Sequence, residues 1–257
     1  MEAQRIVVWF RQDLRLHDNE ALHYAIERSD EIIPVYIFDE RQFLGQTKFG
    51  FPKTGKFRAK FILEAVADLR ASLQARGNDL LIRIGKPEEE IFKICKEHDV
   101  SWVYCNRERT QEEVEVQNAL EENLWSIGRE INYFRGKMLY YTQDLPFPVS
   151  HTPDIFTQFR KEVEKLVKIR PPFPTAEHIE ACSDEMDYGH VPTLQNLGHE
   201  PFDVDQDGVL PFKGGETAGL QRVQEYIWEK DLLKVYKETR NGMLGGDYSS
   251  KLSPWLA

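Results

Sequence analysis

The chain has 257 residues, with 43 acidic and 33 basic side chains and a formal charge of −10. This length suits one large domain or a domain with added elements, and no apolar run reaches the ~18 residues of a membrane span. Residues 169–212 hold nine acids against Arg170 alone, so most of the negative charge sits there, and neither part has the basic field of a tight nucleic-acid binder.

In chain order, "RIVVWF" (5–10), "EIIPVYIF" (31–38), "DLLIRIG" (79–85), "SWVYC" (101–105) and "EINYF" (130–134) read as strands. Several are nearly continuous in apolar residues, as in a sheet covered on both faces. Helical stretches lie between them. The clearest is 54–76, where Phe57, Phe61, Ala65, Leu69 and Leu73 recur every four residues, widened by Ile62 and Val66 and closed by Gly77. Others start at Asp18 or Asn19, at Pro87 with three acids in the first turn, and at Thr110, whose spacing to Glu113 predicts a capping box. Five strands alternating with helices predict an α/β, Rossmann-like, doubly wound parallel sheet.

Beyond residue 135 a helix is predicted at 153–168, with Thr152 as cap and Pro153 in its first position. Residues 169–212 contain six of the 13 prolines and the acidic excess, a composition that wraps a surface or links domains. Residues 214–242 read as helical again. The last residues, "SPWLA", read as Ser253 capping a helix that Pro254 begins, with large apolar side chains at the end of the chain.

Several motifs fail on their details. "GFPKTGKF" (50–57) fits G-x₄-G-K but has Phe57 where a P-loop needs a magnesium-binding hydroxyl, and Pro52 lacks an N–H. "DVDQDG" (203–208) copies half an EF-hand loop, but its twelfth position is Gly214 and prolines deny the flanking helices. Lys53, Lys56, Arg58 and Lys60 gather at a helix amino end, where positive charge is unfavourable, and read as a solvated patch, with an anionic partner as the alternative. The seven histidines form no local ligand motif, and no hydrolytic triad stands out. Cys95, Cys105 and Cys182 lack close pairing and read as small buried hydrophobes, with no metal site expected. "MEAQRIVVWF" has no signal-peptide pattern, so the expectation is a cytoplasmic protein. Two places invite ligands. "WFRQDLRLHDN" (9–19) crowds Arg11, Asp13, Arg15 and Asp18 at the carboxyl edge of the sheet, with a salt-bridged loop and helix cap as the alternative. At the other end, Gly245 and Gly246 precede hydroxyls and a lysine at a helix start, a pattern for anions.

"VVWFRQDLRLHDNEAL", "FGFPKTGKFRAKFILEAVADLR", "LPFPVSHTPDIFTQFRKEVEK", "FKGGETAGLQR" and "YKETRNGMLGGDYSSKLSPWLA" together resemble the photolyase/cryptochrome flavoproteins, specifically the DASH-type cryptochromes. The likeness runs from residue 5 to the end, weakening across 176–210. The resemblance implies an α/β antenna-binding domain (1–135), a connector (136–212) and the start of an all-helical FAD-binding domain (213–257). It further implies a blue-light photoreceptor or DNA-repair lyase, in which photoexcited reduced FAD passes an electron to cyclobutane pyrimidine dimers, chiefly in single-stranded DNA. It places Glu108, with Arg107 and Asn106 as neighbours, at a methenyltetrahydrofolate antenna. It places Tyr236, Arg240, Ser249, Ser250, Lys251, Leu252 and Ser253 at the FAD. The family's remaining helices, tryptophan chain and DNA-binding surface have no counterpart here. The expectation is therefore a truncated chain that folds its α/β domain, holds no stoichiometric FAD, self-associates through its apolar end and repairs no DNA, with no catalytic residue or metal of its own. The alternative is a stand-alone, non-catalytic module that binds a pterin, a nucleotide or a helical partner.

Overall fold

The computed structural model describes residues 4–203 and 210–256; the half-EF-hand motif falls largely outside them. Five strands, β1 (Arg5–Phe10), β2 (Glu31–Asp39), β3 (Leu81–Gly85), β4 (Trp102–Asn106) and β5 (Glu130–Phe134), pair in parallel in the order β3-β2-β1-β4-β5. Between them run α1 (Glu20–Arg28), the short α2 (Glu40–Phe43), α3 (Lys56–Gln74), α4 (Pro87–Glu97) and α5 (Gln111–Trp125). Strand order reverses beside β1, which opens a crevice at the carboxyl edge between β1 and β4.

Alternation along β1 shows why the strands are apolar throughout. Ile6, Val8 and Phe10 pack with Leu22 of α1 and Val66 and Leu69 of α3, while Val7 and Trp9 pack with Ile91 of α4 and Leu120 and Leu124 of α5. Both faces are covered, so neither set of alternate residues meets water.

Helix ends follow local chemistry, with corrections. Asn19 Oδ1 accepts from the Leu22 amide at 3.1 Å, so Asn19 caps α1; Asp18 takes a left-handed backbone (φ 51°) and exchanges hydrogen bonds with Phe173. α4 begins at Pro87 with Glu88, Glu89 and Glu90 in its first turn. α3 buries Ile62, Ala65, Val66, Leu69 and Leu73, but Phe57 is exposed, because it meets the ring of Phe202 edge-on at 5.0 Å rather than the sheet. Gly77 has φ 90°, and a Cβ there would lie 2.6 Å from His178. Thr110 occupies the cap of α5 without capping: its hydroxyl donates to the Glu113 carboxylate at 2.6 Å, a charged acceptor that outcompetes the reciprocal box. α6 (Phe156–Leu166) starts three residues later than predicted. Val149–His151 forms a separate 3₁₀ turn, and the Thr152 hydroxyl closes it by donating to the Val149 carbonyl at 2.8 Å.

The acidic connector wraps the β3 edge. Ala181 bridges Ile32, the Ile82 amide donates to the Tyr188 carbonyl at 2.9 Å, and Arg70 Nη1 holds the Gly189 carbonyl at 2.9 Å. Ile179, Cys182 and Leu197 sink into the two cores, so the segment covers an edge strand that would otherwise expose unpaired backbone.

The predicted helix over 214–242 is broken into α7 (Glu216–Val223), a π turn (Gln224–Glu229), a 3₁₀ turn (Leu232–Val235) and α8 (Tyr236–Thr239), with Asp231 left-handed at φ 52°. The first residues of α7 are capped from outside. Glu64 of α3 accepts from the Gly214 amide at 2.8 Å, and Asp68 accepts from Thr217 at 3.0 Å. A Cβ at Gly214 would lie 1.9 Å from the Phe61 carbonyl oxygen, so only glycine permits this approach. Among the described residues, no helix is long and apolar enough to cross a membrane.

Candidate functional site

At the carboxyl edge, Asp13 organises the loop after β1. Its Oδ1 accepts from the Arg11 amide at 2.9 Å, and its Oδ2 accepts from Asn106 Nδ2 at 2.5 Å and Asn19 Nδ2 at 3.4 Å. Arg11 is buried, with its guanidinium 4.3 Å from the Trp9 ring centroid and donating to Gln117 Oε1 at 2.6 Å. Arg15 donates to the carbonyls of His17, Asp18 and Gly136. The charges crowded into residues 11–18 thus serve as a hydrogen-bonded loop scaffold and a helix-cap region. Asn106 is fully buried, its amide nitrogen spent on Asp13 and its oxygen accepting from the Gly136 amide at 3.1 Å. That leaves Asn106 to shape the edge rather than reach a ligand.

Glu108 differs. It follows β4, its amide donates to Gln117 Oε1 at 2.9 Å, and both carboxylate oxygens accept from Lys137 Nζ, at 2.7 and 2.9 Å. Burial pushes the Glu108 carboxyl above its ordinary range, and the Lys137 ammonium draws it partly back. Arg107 is exposed, 5.4 Å from the Tyr133 ring centroid. Lys137 and Gln117 escaped the sequence reading because their partners lie 29 and 9 residues away with no motif linking them.

The second locus is the segment 245–256. Tyr236 opens α8 and Arg240 follows it; the Thr239 hydroxyl donates to the Tyr248 carbonyl at 3.0 Å, which brings this turn beside Ser249. The organising residue is Arg222 of α7, nearly fully buried. It donates to the carbonyls of Ser250 (3.0 Å) and Gly246 (3.1 Å) and pairs with Glu225 (2.9 Å) and Asp247 (3.4 Å); Lys230 also binds Asp247, at 3.0 Å. The only advance signal for Arg222 was its three-residue spacing to Glu225. Lys251 has φ 57° and stacks its ammonium on Tyr248 at 3.4 Å. Among the described residues, the hydroxyls of Ser249, Ser250 and Ser253 make no hydrogen bond, and the Arg240 guanidinium makes no ion pair.

The predicted helix start at Ser253 is a 3₁₀ turn of three residues, Ser253–Trp255, with Leu252 at the cap position and no capping bond from Ser253. Trp255 turns inward: its indole N–H donates to the Lys213 carbonyl at 2.9 Å, and its ring packs over Gly219, where a Cβ would sit 3.0 Å away. Leu256 stays exposed. Between the loop after β1, α3, α7 and this tail lies a cavity of about 580 Å³, lined by Leu14, Arg58, Phe61, Leu220, Leu252 and Trp255 among others. Glu216 ties its walls together by accepting from the Leu16 and His17 amides at 2.9 and 3.0 Å.

The P-loop look-alike forms no nucleotide cradle. It follows α2 rather than a strand, and Pro52 pairs back with Gln46. Of the basic patch, Lys53 pairs with Glu112 and Lys60 with Glu64, while Lys56 lies over Phe57 and Phe202.

The sheet order, the folded loop at its carboxyl edge and the appended helical turns define an α/β domain of the photolyase type, and the sequence model of the family described as DNA photolyase matches residues 6–177. The chain belongs to that family. Within it, the chain is similar to the DASH cryptochromes: it is 47% identical over 257 residues to Cryptochrome DASH of Gloeobacter violaceus, covering 100% of this chain and 51% of the relative. The crystal structure of a cryptochrome from Synechocystis sp. PCC6803 superposes with a TM-score of 0.93 at 44% identity, covering 100% of this chain and 53% of that one. An archaeal photolyase from Sulfolobus tokodaii, solved with two FAD molecules, superposes with a TM-score of 0.73 at 25% identity, covering 98% and 51%. The chain spans about half the length of the curated relatives it matches.

Proposed function

We propose that residues 1–135 form the α/β antenna-binding domain, 136–212 the connector and 213–257 the first turns of the flavin-binding domain of a DASH-type cryptochrome or photolyase. In this reading the complete protein uses blue light and reduced FAD to split cyclobutane pyrimidine dimers in DNA, chiefly single-stranded. The carrying observation is that likeness to DASH cryptochromes extends over the whole chain, including the segment around Arg222. FAD supplies the light-excited electron donor when bound. Arg240, Lys251 and the hydroxyls of Ser249, Ser250 and Ser253 are the cationic and donor groups that suit a diphosphate, and none of those hydroxyls has another partner among the described residues. Tyr236 and Leu252 complete the wall. Arg222 acts behind them by fixing the Gly246 and Ser250 carbonyls, so their amides and hydroxyls hold one arrangement.

For the antenna, Glu108 and exposed Arg107 are the proposed contacts for methenyltetrahydrofolate. The adjacent N–H donors of a pterin edge suit a carboxylate, and they would share it with Lys137. Glu108→Gln is expected to weaken folate binding by about tenfold or more, since hydrogen bonds to charged groups contribute about 1.5–3 kcal/mol; equal affinity would remove Glu108 from the site.

The functional reading is tested by joining residues 1–257 to the carboxyl half of the Gloeobacter relative. The fusion is expected to retain FAD and to repair dimers in single-stranded DNA under blue light, while the 257-residue chain alone retains no stoichiometric flavin and repairs none. A fusion that binds FAD but leaves dimers intact overturns the repair assignment. Stoichiometric FAD in the chain alone overturns the placement of most of the flavin site outside it.

A further inference from the structure

Where the connector crosses the amino-terminal edge of the sheet, three metal-ligand side chains converge that neither the flavin nor the antenna reading uses. His98 terminates α4, and Cys182 and Asp184 follow directly after the bridge between Ala181 and Ile32. His98 Nδ1 lies 3.1 Å from Asp184 Oδ2, and one ligand atom from each of His98, Cys182 and Asp184 all fall within 4.8 Å of one another. Sequence alone separates His98 from this pair by more than 80 residues, which is why no ligand motif was visible.

An ion pair explains part of this arrangement. Arg5 Nη1 and Nη2 each reach an Asp184 oxygen at 2.9 Å, and Arg5 Nε reaches Glu31 at 2.7 Å. Arg5 and the hydrogen bond with His98 account for the position of Asp184, but neither requires the Cys182 thiol to lie within 4.8 Å of both ligand atoms. Glu31 and Asp184 set two carboxylates against the single guanidinium of Arg5, so this corner is acid-rich and suits a cation. Nitrogen, sulfur and oxygen donors together suit a borderline-soft ion, and Zn–S of about 2.3 Å with Zn–N of about 2.0 Å places donors roughly 3.5 Å apart in a tetrahedron. The three atoms need to close by only about an ångström. Backbone on both sides is already held, by the bridge at Ala181 and by Arg5 Nη1 on the His98 carbonyl at 2.9 Å. The half-exposed Asp184 side gives solvent access and room for a fourth, water ligand.

We propose that His98, Cys182 and Asp184 form a zinc-type site that fastens the connector to the sheet. Cys182 gives up its proton to solvent on binding, Arg5 keeps the second Asp184 oxygen, and no oxidation or reduction is involved. The site stands apart from light chemistry, so it survives or fails independently of the proposed repair function.

Cobalt(II) titration of the 257-residue chain tests it. The expected result is one equivalent bound with tetrahedral visible bands and a sulfur-to-cobalt charge-transfer band, all displaced by zinc. The charge-transfer band is expected to vanish in Cys182→Ser, and affinity to fall at least about tenfold in His98→Ala. No such band in the wild type, or its survival in Cys182→Ser, overturns the proposal. Should Cys182→Ser not fold, alkylation mapped by mass spectrometry on the unaltered chain decides: zinc is expected to slow labelling of Cys182, and unchanged labelling overturns the site. Cys95 and Cys105 serve as internal controls: burial pushes their thiols up to about 12, as it also raises that of Cys182, but neither belongs to the cluster, so zinc should leave their slow labelling unchanged.

Discussion

Strands β1 to β4 and the stretch 214–256 stand at opposite ends of how a chain holds shape. β1, β2 and β4 bury every residue but their first between two helical layers, with Ile6, Val7, Ile33, Val35 and Val103 fully covered. In the stretch 214–256 the only large side chains buried are Arg222 and Tyr226, while Met243 and Leu244 are 87% and 91% exposed. What orders that stretch is polar: caps supplied by Glu64 and Asp68 of α3, the Glu216 clasp on the loop after β1, and the Arg222 guanidinium on two carbonyls. Apolar burial is non-directional and sums over many atoms, whereas a few directed hydrogen bonds fail together when one organising group is lost. The helical stretch is therefore expected to open before the sheet does.

The largest effect separating the two regions is expected in the core. Leu120→Ala removes a fully buried side chain from beneath the sheet and should cost about 2–5 kcal/mol in urea denaturation; a loss under about 1 kcal/mol would mean the α5 face is not part of the cooperative core. Next, Arg222→Met keeps the aliphatic stem but strips the donors from the Gly246 and Ser250 carbonyls. Amide protection across 246–251 should fall by about 1–3 kcal/mol, with β1 amides unchanged; equal loss in β1 would make the two regions a single unit.

The mildest effect is acid. Lys230 holds Asp247 below its ordinary value of 3.8, and Lys230 and then Arg222 hold Glu225 below 4.5. Carboxyls depressed in the folded state stabilise it above their unfolded values, and this contribution is lost as pH falls through their folded ones. Protection in 246–251 should therefore decline below about pH 4 while β1 stays protected, and hydrogen exchange across a pH series checks it. Simultaneous loss would show that acid acts on the sheet first.

The strands were legible because a doubly covered parallel sheet demands continuous apolar runs, and "RIVVWF" and "EIIPVYIF" state that demand locally. Pro87 and Asn19 marked helix starts for equally local reasons. Thr152 and Thr110 misled because each hydroxyl is turned to donate, to the Val149 carbonyl and the Glu113 carboxylate, and its oxygen accepts from no helix amide as a cap would. Of the candidate residues, Asn106 turned out to be buried scaffold, Glu108 gained an unforeseen partner in Lys137, and the Ser253 helix start shrank to one short turn. Long-range partners leave no periodic trace, so nothing near residue 222 announced that its guanidinium would gather Gly246, Asp247 and Ser250.

By itself the sequence determined the layered α/β architecture, the position of the acidic wrap and the kinship with DASH cryptochromes, since each rests on local patterns and the order in which they recur along the chain. Only the tertiary structure decided which charges are scaffold and which are available. Asp13 and Arg11 were consumed by the loop they fold, while among the described residues Arg240 makes no ion pair and the Ser249, Ser250 and Ser253 hydroxyls make no hydrogen bond. The physical reason is that a polar group's role depends on whether folding brings it a partner, and those partners come from elements far away in the chain.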